Sequence, residues 1–204
     1  MKNFMDEHQI DTLFHFTRAS NLPNIFEYGL MPRETISKSG LNADYNDRYR
    51  YDNCENALCM SIEFPNYKMF YSLRMENEEV DWAVIKLDAS VLLDFECAFC
   101  VTNAGSEESY SIDLKKRMGC KALEKLYEEY PGKPSRSAMR IKNWYPTNPQ
   151  AEVLVFGCVP LKYIKGVYFN DETTLMKFKS RIPPTIAARI NTNYFFPRED
   201  WRFW

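Results

Sequence analysis

The stretch TNPQAEVLVFG, residues 147–157, opens as a polar run and turns at once into an apolar strand whose second residue is Glu152. Alternation along a strand sets Glu152, Leu154 and Phe156 on one face and Ala151, Val153 and Val155 on the other. A carboxylate at the mouth of such a strand has two readings. It protects a strand edge from unwanted pairing, or it stands as a fixed negative group at a cleft, stabilising a cationic transition state or taking a proton.

Working outward from this strand, LFHF (13–16), ALCMSI (57–62), WAVIKL (82–87), IKGVYF (164–169) and NYFF (193–196) read as further strands. Helices are expected through NLPNIFEYG, with Ser20 or Asn21 as cap, Pro23 in the first turn and Gly29 as stop. YKMFYSLR after Pro65, KALEKLYEEY ended by Pro131 and Gly132, and ETTLMKFKSRI supply three more. A polar segment, RETISKSGLNADYNDRYRYDN, separates the first helix from the second strand, and residues 105–118 read as an irregular crossing. Strands and helices intermix without a regular β-α-β rhythm, so the expected class is α+β. With no repeat or linker to divide it, the chain is expected to be one domain, residues 1–204.

Lys and Arg total 26 against 28 Asp and Glu, a formal charge of −2. No global positive field gathers a nucleic acid or an anionic membrane, so any nucleic-acid contact must be local. No run approaches the roughly 18 apolar residues that span a bilayer, and the N-terminal segment has no signal-like apolar region. The expectation is a soluble cytoplasmic protein. The six cysteines show no framework, as suits a reducing compartment. Cys97 and Cys100 form one C-x-x-C without a second pair, and only His8 and His15 could add imidazoles; buried thiols are expected rather than a metal site.

Several polar residues stand out on this scaffold. His15 and Thr17 share a strand face and offer two hydrogen-bonding groups to a cleft, unless His15 is simply a structural histidine at a strand end. Arg48 and Arg50, in NDRYRYD, are fitted to grip a pyrophosphate; alternatively, Asp47 and Asp52 neutralise both in a solvated turn. Tyr67, Tyr71 and Arg74 share one face of their helix, where tyrosines also serve as core edge. Between Gly132 and Ala151 come Lys133, Arg136, Arg140 and Lys142, no acidic residue, and the pair Trp144 and Tyr145. Such a loop can track phosphates and stack on unpaired bases. It also fits a basic surface loop with a tryptophan plugging the core.

The blocks LFHFTRASNLPNIFEYGLMPR, SIEFPNYKMFYSLR, NPQAEVLVFG and NYFFPREDW together resemble the DarT family, DNA ADP-ribosyltransferase toxins whose antitoxin partner is the macrodomain protein DarG. The resemblance runs from near residue 13 to the C-terminus. It implies an ADP-ribosyltransferase fold in which two small sheets form an NAD+-binding cleft with flanking helices. It also implies transfer of ADP-ribose from NAD+, a co-substrate, to a base in single-stranded DNA, without a metal. By this likeness His15, Phe16 and Thr17 line the nicotinamide end, and Asn24 and Pro32 touch NAD+. Tyr71 sits beside the nicotinamide ring. Arg48 or Arg50 is the catalytic arginine, since both fit the place, and Glu152 is the catalytic glutamate. The preceding loop, with Lys133, Arg136, Arg140, Lys142, Trp144 and Tyr145, holds the DNA.

The chemistry of the residues agrees with that implication. Cleaving the bond between nicotinamide and ribose creates an oxocarbenium-like centre, which a nearby carboxylate stabilises. ALCMSIEFPNYKMFY departs from the aromatic block of thymidine-modifying members and leaves the base open between guanine and thymine. A monomer is expected. Two other classes stay in view: an ADP-ribosyltransferase acting on RNA, or on protein, where Gln150 is a candidate residue for an arginine acceptor, and a non-catalytic nucleic-acid-binding module.

Overall fold

The computed structural model describes residues 1–45 and 50–204. In chain order the elements are α1 (Lys2–His8), β1 (Thr12–Arg18), α2 (Leu22–Tyr28), α3 (Arg33–Ser39), β2 (Ala57–Ile62), α4 (Tyr67–Glu76), β3 (Trp82–Asp88) and α5 (Val91–Asp94). They continue with β4 (Cys97–Cys100), α6 (Glu107–Tyr110), α7 (Cys120–Lys125), β5 (Glu152–Phe156), β6 (Ile164–Phe169), α8 (Glu172–Lys179) and β7 (Ala187–Ile190). Short 3-10 turns link several of them. No helix among the described residues is long and apolar enough to cross a membrane.

The strands form one seven-stranded sheet in the order β4-β5-β2-β1-β3-β6-β7. Two small sheets were the expectation, and here the structure differs. β1 pairs with β3 along its whole length, from Thr12↔Asp88 to Arg18↔Trp82. It meets β2 only at Leu13↔Ile62 and Phe14↔Ser61. That short seam joins two half-sheets, which then part. All neighbours run antiparallel except β6 and β7.

Alternation decides what each half buries. On one face a single core gathers Leu13, Ile85, Val153, Val155 and Val167 from the sheet, with Leu22 and Phe26 of α2, Leu123 of α7 and Phe178 of α8. The opposite face is divided. Phe14, Phe16, Val84 and Phe70 of α4 cover one half, whereas Cys54, Ala98, Cys100 and Leu154 cover the other. Cys97 and Cys100, three residues apart on β4, therefore enter different clusters as buried free thiols. α2 ends at Gly29, whose φ of +84 favours glycine and whose added Cβ would lie 2.5 Å from the Val159 carbonyl oxygen. This close approach allows Leu30 and Val159 to pair.

Other boundaries also differ from the sequence reading. NYFF is not a strand: Asn191 accepts a hydrogen bond from the Asn193 N–H, and residues 192–195 form a 3-10 turn. The seventh strand is instead Ala187–Ile190, paired with β6. KALEKLYEEY yields only the helix Cys120–Lys125.

The segment leading into β5 is held from the far end of the chain. Arg198 and Asp200, 3% and 4% exposed, form a bidentate ion pair. The same guanidinium donates to the carbonyls of Pro146 at 2.9 Å and Thr147 at 3.0 Å. A buried pair of this kind contributes little net stability, but removing one partner strands a charge. Arg198→Ala is accordingly expected to lower unfolding free energy by about 3–5 kcal/mol in urea titrations; a loss under about 1 kcal/mol would show that the segment is held by other contacts.

Candidate active site

Where β1 peels away from β2, the edge of β2 loses its backbone partner. Residues two apart on a strand turn their carbonyls to the same edge, and on this edge side chains take both. The Ala57 carbonyl accepts from Arg50 Nη1 at 3.1 Å, and the Cys59 carbonyl is 2.9 Å from His15 Nδ1. A carbonyl can only accept, so His15 carries its proton on Nδ1 and keeps Nε2 as an acceptor. Burial holds the imidazole below its ordinary pKa, and the Arg50 charge adds to this against the Cys59 hydrogen bond. The ring is neutral at pH 7.

The gap is a cleft of about 250 Å³. His15, Phe16, Thr17, Asn24, Arg50 and Glu152, all singled out from the sequence, line it. α2 also fixes its rim. Asn24 Nδ2 donates to the Asn42 carbonyl at 2.8 Å, and Asn21 exchanges hydrogen bonds with the backbone of Asp44. Arg50 is held by four hydrogen bonds, two to Asp52 and two to the carbonyls of Cys54 and Ala57. Asp52 is thus its partner, as the solvated-turn reading held, but the pair is buried: the side chains are 12% and 4% exposed. Arg48 and Asp47 lie outside the described residues.

Glu152 is not at a sheet edge. β5 lies between β4 and β2, so edge protection does not explain this carboxylate. It is 5% exposed. Its Oε2 accepts the Ala104 N–H at 2.8 Å, and its Oε1 accepts from Asn66 Nδ2 at 3.2 Å and, at 3.5 Å, from Asn103 Nδ2. Burial pushes its pKa up to about 7, with Asp52 adding to the rise and the Ala104 and Asn66 hydrogen bonds and the Arg50 charge opposing it. A carboxyl poised near neutral pH can act as base or as electrostatic stabiliser.

Sequence reasoning missed Asn66, Asn103 and Ala104. Only Asn66 left a trace, as an asparagine following Pro65 at a helix start. Two residues named from the sequence lie elsewhere: Tyr71 is 55% exposed on α4, and Pro32 is buried at the start of α3. Neither lines the cleft. In the preceding loop, Lys133, Arg140 and Lys142 are exposed, while Trp144 and Tyr145 are half-buried. Arg136 is spent on the loop itself, donating to Thr147 Oγ1 and to the carbonyls of Lys142 and Tyr145. Among the described residues, no three His, Cys, Asp or Glu side chains are grouped to hold a metal ion.

The fold is found in solved structures. Thermosipho africanus DarTG in complex with ADP-ribose aligns with a TM-score of 0.62 and 19% identity, over 91% of this chain and 51% of that one. The chain thus spans about half the length of that relative. Thermus sp. 2.9 DarT in complex with NAD+ aligns with a TM-score of 0.54 and 11% identity, over 91% of this chain and 97% of that one. The same protein in complex with ADP-ribosylated ssDNA gives 0.54 and 12%, over 92% and 97%. No curated protein matches the sequence. Residues 14–196 match the family model described as "ssDNA thymidine ADP-ribosyltransferase, DarT". The chain belongs to the DarT family.

The raised Glu152 pKa has a consequence for stability. A carboxyl that titrates near 4.5 unfolded and near 7 folded binds more protons in the native state between those values. Stability therefore falls as pH rises from about 4.5 to 7 and levels off above, by an amount on the order of 3 kcal/mol. Urea titrations across this window should show that fall for the parent and a correspondingly smaller one for Glu152→Gln; parallel profiles would mean that Glu152 ionises at its ordinary pKa.

Proposed function

We propose that the protein transfers ADP-ribose from NAD+ to a base in single-stranded DNA, with Glu152 as the catalytic carboxylate. The observation that carries this reading is the buried, hydrogen-bonded Glu152 in a cleft that also holds a neutral His15 and the Arg50 cation. Membership of a family described as acting on single-stranded DNA supports the substrate.

In the reaction, the bond between the ribose C1′ and the nicotinamide nitrogen breaks, and nicotinamide leaves with the electron pair. Positive charge develops on the ribose, where the Glu152 carboxylate stabilises it. A nitrogen of the base that bears a proton attacks C1′, and its proton passes to Glu152 and on to solvent. This requires the ionised carboxylate, so transfer rises with pH through about 7. His15, Phe16, Thr17 and Asn24 form the NAD+ wall, with Pro32 and Tyr71 reached only from outside the cleft lining. Of the two arginines, Arg50 is the one we assign, because it lines the same cleft as Glu152 and its charge acts on that carboxyl; its bonds to Asp52 hold the cation still. The exposed Lys133, Arg140 and Lys142, with Trp144, guide the strand. Arg136 and Tyr145 shape that loop.

The family description names thymidine, and thymine or guanine is the acceptor in this reading. We further propose that residues 1–204 form a single ADP-ribosyltransferase domain, and that the protein is a cytoplasmic, monomeric toxin restrained by a macrodomain antitoxin of the DarG kind.

With NAD+, single-stranded oligonucleotides are expected to gain ADP-ribose on a base, as read by mass spectrometry, and a matched duplex to react poorly because its bases are stacked and paired. Homopolymers then name the base. Glu152→Ala should lower transfer at least about 100-fold, and Arg140→Ala should flatten the salt dependence of binding by about one phosphate contact. Adducts found only on protein, with both DNA forms inert, would replace this reading by a protein-modifying one.

A further inference from the structure

We propose that Asn66 is a positioning residue for the transfer reaction: one side chain starts helix α4 with one atom of its amide and holds the Glu152 carboxylate with the other. The inference rests on the reading of Glu152 as the catalytic carboxylate. Asn66 is fully buried, at 0% exposure. Its Oδ1 accepts the Met69 N–H at 3.2 Å, and its Nδ2 donates to Glu152 Oε1 at 3.2 Å. The first bond fixes the second, because an amide whose oxygen caps the helix can present only its NH₂ on the other side. Its own backbone N–H is tied to Ser61 Oγ at 3.1 Å, so the amide is anchored to β2 and α4 together.

This places a rigid donor opposite a carboxylate 86 residues away in sequence. Among the described residues, the other donors to Glu152 are the Ala104 backbone and the longer Asn103 contact. Among the same residues, the titratable and charged groups facing it are Asp52 and Arg50, from the segment before β2, with Cys59 on β2 and Cys100 on β4. Burial disfavours the carboxylate form, and Asp52 adds to this; Arg50 and the donors oppose both. A donor on Oε1 therefore does two things. It aims the carboxylate, and it keeps enough of it ionised at neutral pH to meet the charge that develops on the ribose.

The capping role and the proposed role separate by substitution. Asn66→Asp keeps an oxygen for the Met69 N–H, and aspartate is as good a cap as asparagine, but it turns a donor toward Glu152 into a second carboxyl. Asn66→Ser keeps a cap and is too short to reach Oε1. Nicotinamide release should be followed against pH, under single-turnover conditions, with the single-stranded oligonucleotide that the parent modifies. In Asn66→Asp the rising limb is expected to move up by about one pH unit or more, with rate at pH 7 reduced at least about 10-fold and partly recovered at pH 8.5. NAD+ affinity should stay within about 3-fold. Asn66→Ser should shift the limb the same way by less, and it decides the matter if the aspartate variant fails to fold.

A folded variant that loses rate equally at every pH, with the midpoint of the limb unmoved, would reduce Asn66 to a helix cap and overturn the proposal. Glu152→Gln, run alongside, separates the two claims. If that variant keeps near-parental transfer, the reading of Glu152 falls. If it is inactive while both Asn66 variants leave the limb in place, only the proposal for Asn66 falls.

Discussion

The site depends on a backbone edge left unpaired inside a sheet. β1 and β2 share only two register pairs, and beyond them β2 would carry orphaned carbonyls into a largely buried space. An unsatisfied buried carbonyl costs on the order of 1–3 kcal/mol, so a sheet that splits must supply other donors. Here they are His15 and Arg50. The residues that repair the split are therefore also the ones that line it, and the hydrogen bonds that satisfy the backbone fix the imidazole tautomer and hold the guanidinium in place. The cleft is the cost of the split turned to use.

The electrostatics follow from the same geometry. β5, between β4 and β2, brings Glu152 into the cleft lining, on the face that carries Leu154. Because that position is buried, the carboxyl is costly to ionise and stays responsive to its neighbours. Arg50 and Asp52 supply one charge of each sign nearby, and their bidentate pairing keeps both fixed. Preorganised charges of this kind need not reorganise when positive charge appears on the substrate, which is how such sites lower a barrier. The buried Arg198 holds Pro146 and Thr147, so the chain enters β5 on a defined path.

Local pattern made part of this legible. β2 and β6 occupy the residues that alternation and β-branched content assigned to them, and the two faces of β1 and β5 divide as read: Val153 and Val155 enter one core, Leu154 the other. His15 and Glu152 stood out because each is a polar residue in an apolar alternating run. What the sequence withheld was long-range. CAFC, four residues buried on both faces, carries no alternation to mark it as a strand. AARI becomes a strand because β6 offers it a parallel edge, not because alanine favours one. NYFF has the composition of a strand, and the Asn191 cap turned it into a 3-10 turn. The partners of Glu152 lie 48 to 86 residues away, and nothing in the local pattern of Asn66 or Ala104 points across that distance. Arg136 looked like a phosphate contact because its charge was visible and its three loop acceptors were not.

The central claim, that the split between β1 and β2 is where NAD+ binds, has a direct test in the chain's two histidines. His15 lines the cleft, whereas His8 is on α1, hydrogen-bonded to the Phe4 carbonyl and stacked on the Phe4 ring. In an NMR titration with carba-NAD+, an analogue whose glycosidic bond resists cleavage, the His15 ring resonances should shift saturably while those of His8 stay in place. Saturable binding that leaves the His15 ring unmoved would put the nucleotide elsewhere and contradict the account.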